Sequence, residues 1–325
     1  MSTLILCFHR VAAPENGGRS VLSISPADFE RVLDEVGSKR KFVSLEEGMK
    51  LTTEQRAVVT FDDGYADNLH TAMPILARRK IPSAFFIASG FIGTPELFPA
   101  DALDGFCDYV ASGGTVPETL GEFANRDYWS ALERLSSVGE KEFWTLNQAL
   151  SSLVRDRVLL NDPLRRPMTA EELQQLSQMP GVALGPHTHS HRRLTALKLD
   201  EALADVRKGT EWLKAQGFSP LSYFAYPFGQ ASDISRSITH QIRDLGYEPL
   251  TTLPTLVTPR TRRTFESLGV SRLSIGPNEV PFITALSRIL PFASGAPRLW
   301  LRALRVRGNV LSVMNRKRRT LPRGR

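Results

Sequence analysis

The stretch that decides the fold is RAVVTFDDGYAD, residues 56–67. Its apolar, partly β-branched run from Ala57 to Phe61 stops at the turn-forming Asp62-Asp63-Gly64, which predicts a short buried strand. Such a strand presents its carboxylates at its carboxyl end, the edge where α/β folds bind ligands. Gly64 lets the chain turn sharply there. Successive strand side chains point oppositely, so Asp62 and Asp63 are expected to serve different partners. Taken alone, Asp-Asp-Gly is equally a turn whose aspartates cap the next helix.

Three more segments read as strands bounded by turn signals: TLILCFH (3–9), SAFFIASG (83–90) and LSYFAYPFG (221–229). Between them lie helical patterns. Ser25-Pro26 opens SPADFERVLDEVGSK, and Leu69, Met73 and Leu76 share a face of YADNLHTAMPILARRK. Thr169 and Glu172 form a capping-box signature, and DEALADVRKGTEWLKAQG stops at Gly217. Strands alternating with helices predict βα units around a mostly parallel sheet or barrel. Residues 94–167 read as a helical insertion over the rim of that sheet, with two helices after the Gly113-Gly114 break.

Composition bounds the rest. The chain has 325 residues, 42% hydrophobic and 23% charged, values ordinary for a globular protein with a sizeable core. Its two cysteines form no disulfide framework and fit a reducing compartment. The first apolar run, Leu4 to Phe8, is too short for a signal peptide or a membrane span, so a cytoplasmic location is predicted. The net charge of +7 is unevenly placed: residues 298–325 hold ten Lys/Arg and no acid, leaving 31 basic against 34 acidic in 1–297. From about 281 the chain reads as a separate Arg-rich extension. Trp300, Leu301 and Leu304 interleave with Arg302 and Arg305 as in an interfacial helix. Peripheral contact with an anionic membrane through 298–325 and a plain solvated tail both fit. No nucleic-acid-binding motif is present, so no specific nucleic-acid partner is expected.

The second informative stretch is GVALGPHTHSHRRL, residues 181–194, which holds three of the six histidines. Imidazole with carboxylate suits zinc and related divalent metals, and a catalytic zinc keeps three protein ligands and an open position. On a helix His187 and His191 would converge and His189 would point away; on a strand all three would share a face.

TFDDG, then HTHSH, then YPFG, opened by FHRV at the amino terminus, resembles the polysaccharide deacetylase family over residues 4–92 and 165–276. The resemblance implies a distorted (β/α) barrel of about seven strands spanning 1–280. It also implies a metal-dependent hydrolase that removes N-acetyl groups from a sugar of a polysaccharide, oligosaccharide or lipid-linked glycan. Carried over residue by residue, Asp63, His187 and His191 become ligands of a divalent metal, zinc by preference, and Asp62 the catalytic base. His189 falls at a variable position. Tyr226 and Phe228 fall in the substrate segment, with the Phe228 amide as oxyanion donor.

Two departures stand out. The arginine usual two residues before the third motif's proline is Ala225 here, and no late Leu-x-His supplies a general acid, since no histidine follows His240. His9, ending the first strand, is the expected acid, with a strand-end structural histidine as the plain alternative. Arg272 in GVSRLSI is expected to replace the missing arginine. The alternatives in function are a cyclic-imide or ureide hydrolase of the same family, or a glycan-binding relative without turnover. His70 and His240 are read as structural or surface residues.

Overall fold

The computed structural model describes residues 3–13, 22–50, 52–252 and 268–276. Eleven strands are formed among the described residues: β1 Thr3–Phe8, β2 Arg10–Val11, β3 Ser23–Ile24, β4 Lys41–Phe42, β5 Arg56–Phe61, β6 Ser83–Ile87, β7 Val182–Pro186, β8 Tyr223–Ala225, β9 Glu248–Thr251, β10 Val270–Ser271 and β11 Leu273–Ser274. The α-helices are α1 Pro26–Gly37, α2 Leu45–Gly48, α3 Met73–Arg78, α4 Pro99–Ala111, α5 Gly121–Ala124, α6 Tyr128–Ser137, α7 Glu140–Asn161, α8 Ala170–Ser177, α9 Leu199–Ala215 and α10 Arg236–Asp244. The Arg-rich extension from 281 lies outside the described residues, as does its predicted membrane contact.

Among the described residues all the strands pair in parallel, and one isolated antiparallel bridge joins Tyr65 to Pro167. One sheet runs β11-β1-β5-β6-β7, with β4 joined to the start of β5, and a second runs β10-β9-β8. Two links bend these sheets toward a barrel of seven positions. Residues 270–274 pair with β9 through Val270 and Ser271, then with β1 through Leu273 and Ser274. At the other seam the ladder opens, but the Leu221 N–H still donates to the Leu184 carbonyl at 2.8 Å. The result is the expected α/β architecture, a distorted and incompletely hydrogen-bonded (β/α) barrel.

β1 is buried along its whole length, as a parallel strand covered on both faces requires. Phe61 stacks on Phe85 at 4.9 Å, and Phe8 meets Phe29 edge-on at 4.9 Å, locking α1 against the strands that end at Asp62 and His9.

Residues 99–161 fold into helices with an apolar cluster of their own. That cluster includes Tyr65, Ala88 and Phe91, from the segments following β5 and β6, so these helices sit at the carboxyl-end rim. The sequence reading found α6 and α7 but missed α4, whose PADALDGFCDYVA carries acids on its buried face. Those acids are neutralised in space: Arg165 binds Asp101 at 2.6 Å and Asp104 at 2.8 Å, and the Tyr65 hydroxyl donates to Asp101 at 2.6 Å.

The capping box at Thr169 is present, and its Glu172 also takes bonds from Arg166 and His70. Burial alone would raise the Glu172 carboxyl, but these donors hold it down at about 2. Its stabilisation is therefore complete above the unfolded value near 4.5 and is lost as pH falls from there toward 2. Glu172→Ala is expected to cost about 1–2 kcal/mol at pH 7 and nearly nothing at pH 2–3, read by urea unfolding.

Candidate active site

The carboxyl ends of the strands gather the predicted residues. Asp62 and Asp63 follow β5 directly, and Asp63 turns back with φ 76°. Gly64, at φ 100°, could not carry a side chain without strain, and a Cβ there would press on Ile87 and Ile92 at 3.3 Å.

The His187–His191 loop is neither of the two regular geometries. His187 leaves β7, then Thr188 at φ 66° and His191 at φ 54° coil the chain so that both imidazoles face Asp63. α9 packs close beneath: a Cβ on Gly209 would lie 2.6 Å from the Thr188 carbonyl oxygen. His189 is turned away, with Nδ1 on the Ser89 hydroxyl at 2.9 Å and its ring 5.7 Å from Trp144.

Nε2 of His187 and Nε2 of His191 approach the same oxygen, Oδ1 of Asp63, at 3.3 and 3.0 Å. That oxygen is buried and accepts no hydrogen bond. His187 Nδ1 is 2.8 Å from the Ala225 carbonyl, so its proton sits on Nδ1 and the Nε2 lone pair faces the carboxylate. Two imidazole nitrogens, that of His187 with its lone pair presented, and a carboxylate oxygen converging at one point form the donor set that suits a divalent cation. The electrostatics agree. Burial alone would raise Asp63, yet His191 and His187 hold it well below the carboxylate range. Burial would lower His187, yet Asp62 and Asp63 raise it. The pocket therefore favours positive charge, and Asp63, His187 and His191 can hold a metal ion.

Asp62 has a different partner, as strand alternation predicted. Arg272, wholly buried at the β10–β11 junction, grips both its oxygens, Nη1 to Oδ1 at 2.6 Å and Nη2 to Oδ2 at 2.7 Å. The Cys7 thiol adds a weak contact to Oδ2 at 3.4 Å. Burial opposes ionisation of Asp62, but Arg272 and His187 outweigh it and keep the carboxyl ionised. Asp62 is thus paired by an arginine from another strand.

His9 lies just past β1, and a ring nitrogen of His9, the Cys7 sulfur and an Asp62 oxygen are within 4.8 Å of one another. Burial pushes His9 below its ordinary value, opposed by Asp63 and Asp62. Phe228 has φ 63° and lays its ring 5.3 Å from His191, with the Arg193 guanidinium 4.9 Å over the ring. Its backbone N–H donates to no atom of the described residues.

Tyr226 is a correction. Its hydroxyl bonds Thr239 at 2.9 Å, and its ring is buried with Phe224, Leu194 and Ile238 under α9 and α10, away from the cluster. Alternation explains it: Ala225 packs inward with Ile5, Val58 and Phe86, so Phe224 and Tyr226 on either side of it face outward. His70 pairs with Glu172 and His240 with Asp244, both outside the site. The sequence reading missed Asp67, Asn68 and Arg10, a buried polar group beside His9. The signal for Asp67 and Asn68 was present as polar residues on the inner face of the helix after Gly64, whereas Arg10 follows the first strand.

The fold has known counterparts. Curated sequences contain no match. Among solved structures, IcaB from Ammonifex degensii is 19% identical, with TM-score 0.57 over 88% of this chain and 97% of its own. The Streptococcus pyogenes deacetylase PplD, solved in complex with acetate, is 16% identical, with TM-score 0.55 over 88% and 98%. A de-N-acetylase from Aggregatibacter actinomycetemcomitans is 16% identical, with TM-score 0.52 over 87% and 100%. These likenesses speak for the fold. Residues 50–250, which carry both Asp62-Asp63 and the paired histidines, match the polysaccharide deacetylase family, and the chain belongs to that family.

Proposed function

We propose that the protein is a divalent-metal hydrolase that removes acetyl from the nitrogen of an N-acetylated sugar. The observation that carries this is the pairing of two adjacent aspartates with separate tasks: Asp63 converges with His187 and His191, while Asp62 is held by Arg272 alongside. A bound divalent ion, zinc by preference, would supply a Lewis acid that polarises the acetyl carbonyl and acidifies a water.

The chain's own groups supply the rest. Asp62 is ionised, and its Oδ1 keeps a second acceptor direction beyond Arg272, so it takes the proton of the attacking water. The Phe228 N–H donates to the oxygen on which charge develops. His9 gives a proton to the departing amine nitrogen as the C–N bond breaks. Its depressed value makes the imidazolium a stronger donor and reduces the charged fraction at neutral pH, two effects that partly cancel. His9→Ala is expected to lower amide turnover by about 10²- to 10⁴-fold.

No helix of the described residues is long and apolar enough to cross a membrane. The basic segment 298–325 supports a substrate met at an anionic lipid surface, a lipid-linked glycan among them. The test is acetate release by divalent-metal-loaded protein from a panel of N-acetylated oligosaccharides and glycolipids. Release from at least one member is expected; none across the panel rejects the reading.

A further inference from the structure

The helix following Gly64 begins irregularly. Residues Asn68–Ala72 form a π-turn, in which the Met73 N–H bonds the Asn68 carbonyl, before α3 continues. Pro74 accounts for it: lacking an N–H, and with a ring that crowds the His70 carbonyl, it cannot continue a regular turn. Wide turns of this kind recur at functional sites.

The residues at this turn face the backbone around His9. Asn68 Nδ2 donates to the His9 carbonyl at 2.8 Å, and the amide is oriented without ambiguity because Asp67 Oδ1 lies 3.0 Å from the same nitrogen. Turned over, the amide would set oxygen against two oxygens. Asp67 Oδ1 accepts the Val11 N–H at 3.1 Å, and its Oδ2 accepts Arg10 Nε at 2.9 Å. Arg10 reaches on to Asp162, at the end of α7. The two peptide groups that follow His9 are thus held from one turn of helix. Asp67, Asn68 and Arg10 are all buried, whereas His9 itself is partly open.

Energetics argue that this arrangement is kept for position. Asn68 Oδ1 is buried and accepts no bond, a cost of about 1–3 kcal/mol. An apolar side chain of similar size would avoid that cost but could not hold the His9 carbonyl. β1 ends at Phe8, so His9 lies just past the ladder that fixes the backbone before it.

We propose that Asn68, with the Asp67–Arg10 pair, is a positioning clamp that fixes His9 for proton delivery to the leaving nitrogen. This rests on the deacetylase reading and on His9 as its acid. Asn68 touches no reacting atom and acts through His9.

The test uses the dependence of a general acid on the leaving group. An N-acetylated glucosamine oligosaccharide releases an amine that must be protonated, whereas 4-nitrophenyl acetate releases a phenolate that need not be. Asn68→Ala is expected to lower the amide-to-ester ratio of kcat/KM by about 10- to 100-fold. Metal content should stay that of the wild type. In a His9→Ala background, Asn68→Ala should lower the ratio no further, since the clamp has lost its object. Asn68→Ser, too short to reach the carbonyl, serves the same purpose if the alanine variant does not fold. An unchanged ratio in the Asn68 variants, or an equal loss in the His9→Ala background, overturns the clamp while leaving the deacetylase standing. Absence of amide turnover in the wild type, or an unchanged ratio in His9→Ala, overturns the reading beneath it and the clamp with it.

Discussion

Asp62→Asn is expected to reduce acetate release from an N-acetylated oligosaccharide by about 10³- to 10⁴-fold, the upper part of the range for loss of a general base. The substitution keeps the shape of the side chain, and its amide can fill the same space beside Arg272 and Cys7, so packing is little disturbed. What it removes is the charge that accepts the water's proton. Asp63, His187 and His191 are untouched and converge on their own point, so bound divalent metal should stay stoichiometric by elemental analysis. Arg272 loses its anionic partner and becomes a buried cation facing a neutral amide, so a measurable fall in stability accompanies the loss. Metal content and an unfolding curve on the same sample separate lost chemistry from lost fold. Retention of more than about a tenth of wild-type turnover would remove Asp62 from the role of base.

The expected phenotype depends on a division of labour between neighbours that was only half visible in the sequence. Alternation along a strand said that Asp62 and Asp63 would serve different partners. It could not say that Asp63 would adopt φ 76°, which turns its carboxylate back toward the histidine loop. Four of the five non-glycine residues with positive φ among the described residues are Asp63, Thr188, His191 and Phe228. Each such conformation costs on the order of 1–3 kcal/mol and persists where surrounding structure imposes it. Hydrophobic periodicity is blind to this, which is why the histidine loop matched neither a helix nor a strand.

The barrel was legible because β1, β5 and β6 are continuous apolar runs bounded by turns. β9, EPLT, and the broken strand at 270–274 are short and polar, and their burial comes from partners far along the chain. Tyr226 was misplaced for a related reason: a motif read as a unit hides the alternation that sends Ala225 and Tyr226 to opposite faces. Arg272 was legible only as an arginine near a strand end. Its pairing depends on a chain crossing of 210 residues that only the closing of the barrel decides.

That crossing leads to the largest expected effect on stability. Arg272 is wholly buried, and so is the carboxylate it grips. Desolvating both ions costs several kcal/mol each, and their attraction returns it only while both are present. Arg272→Met, close in volume and able to lie against Phe86 where the guanidinium now sits at 5.4 Å, strands the Asp62 charge. It is expected to lower unfolding free energy by about 3–5 kcal/mol. Arg272→Lys keeps a positive charge but not the fork that meets two oxygens at once, and should lose less. The decisive comparison is the double variant Asp62→Leu/Arg272→Met, which removes both ions. Because neither charge is then stranded, it should recover most of the lost stability while remaining inactive, giving a coupling energy of at least about 2 kcal/mol in a denaturant-unfolding cycle. Additive losses in that cycle would mean that the two side chains stabilise the barrel independently. Asp62 would then owe neither its ionised state nor its position to Arg272, and the arginine missing at Ala225 would have no replacement.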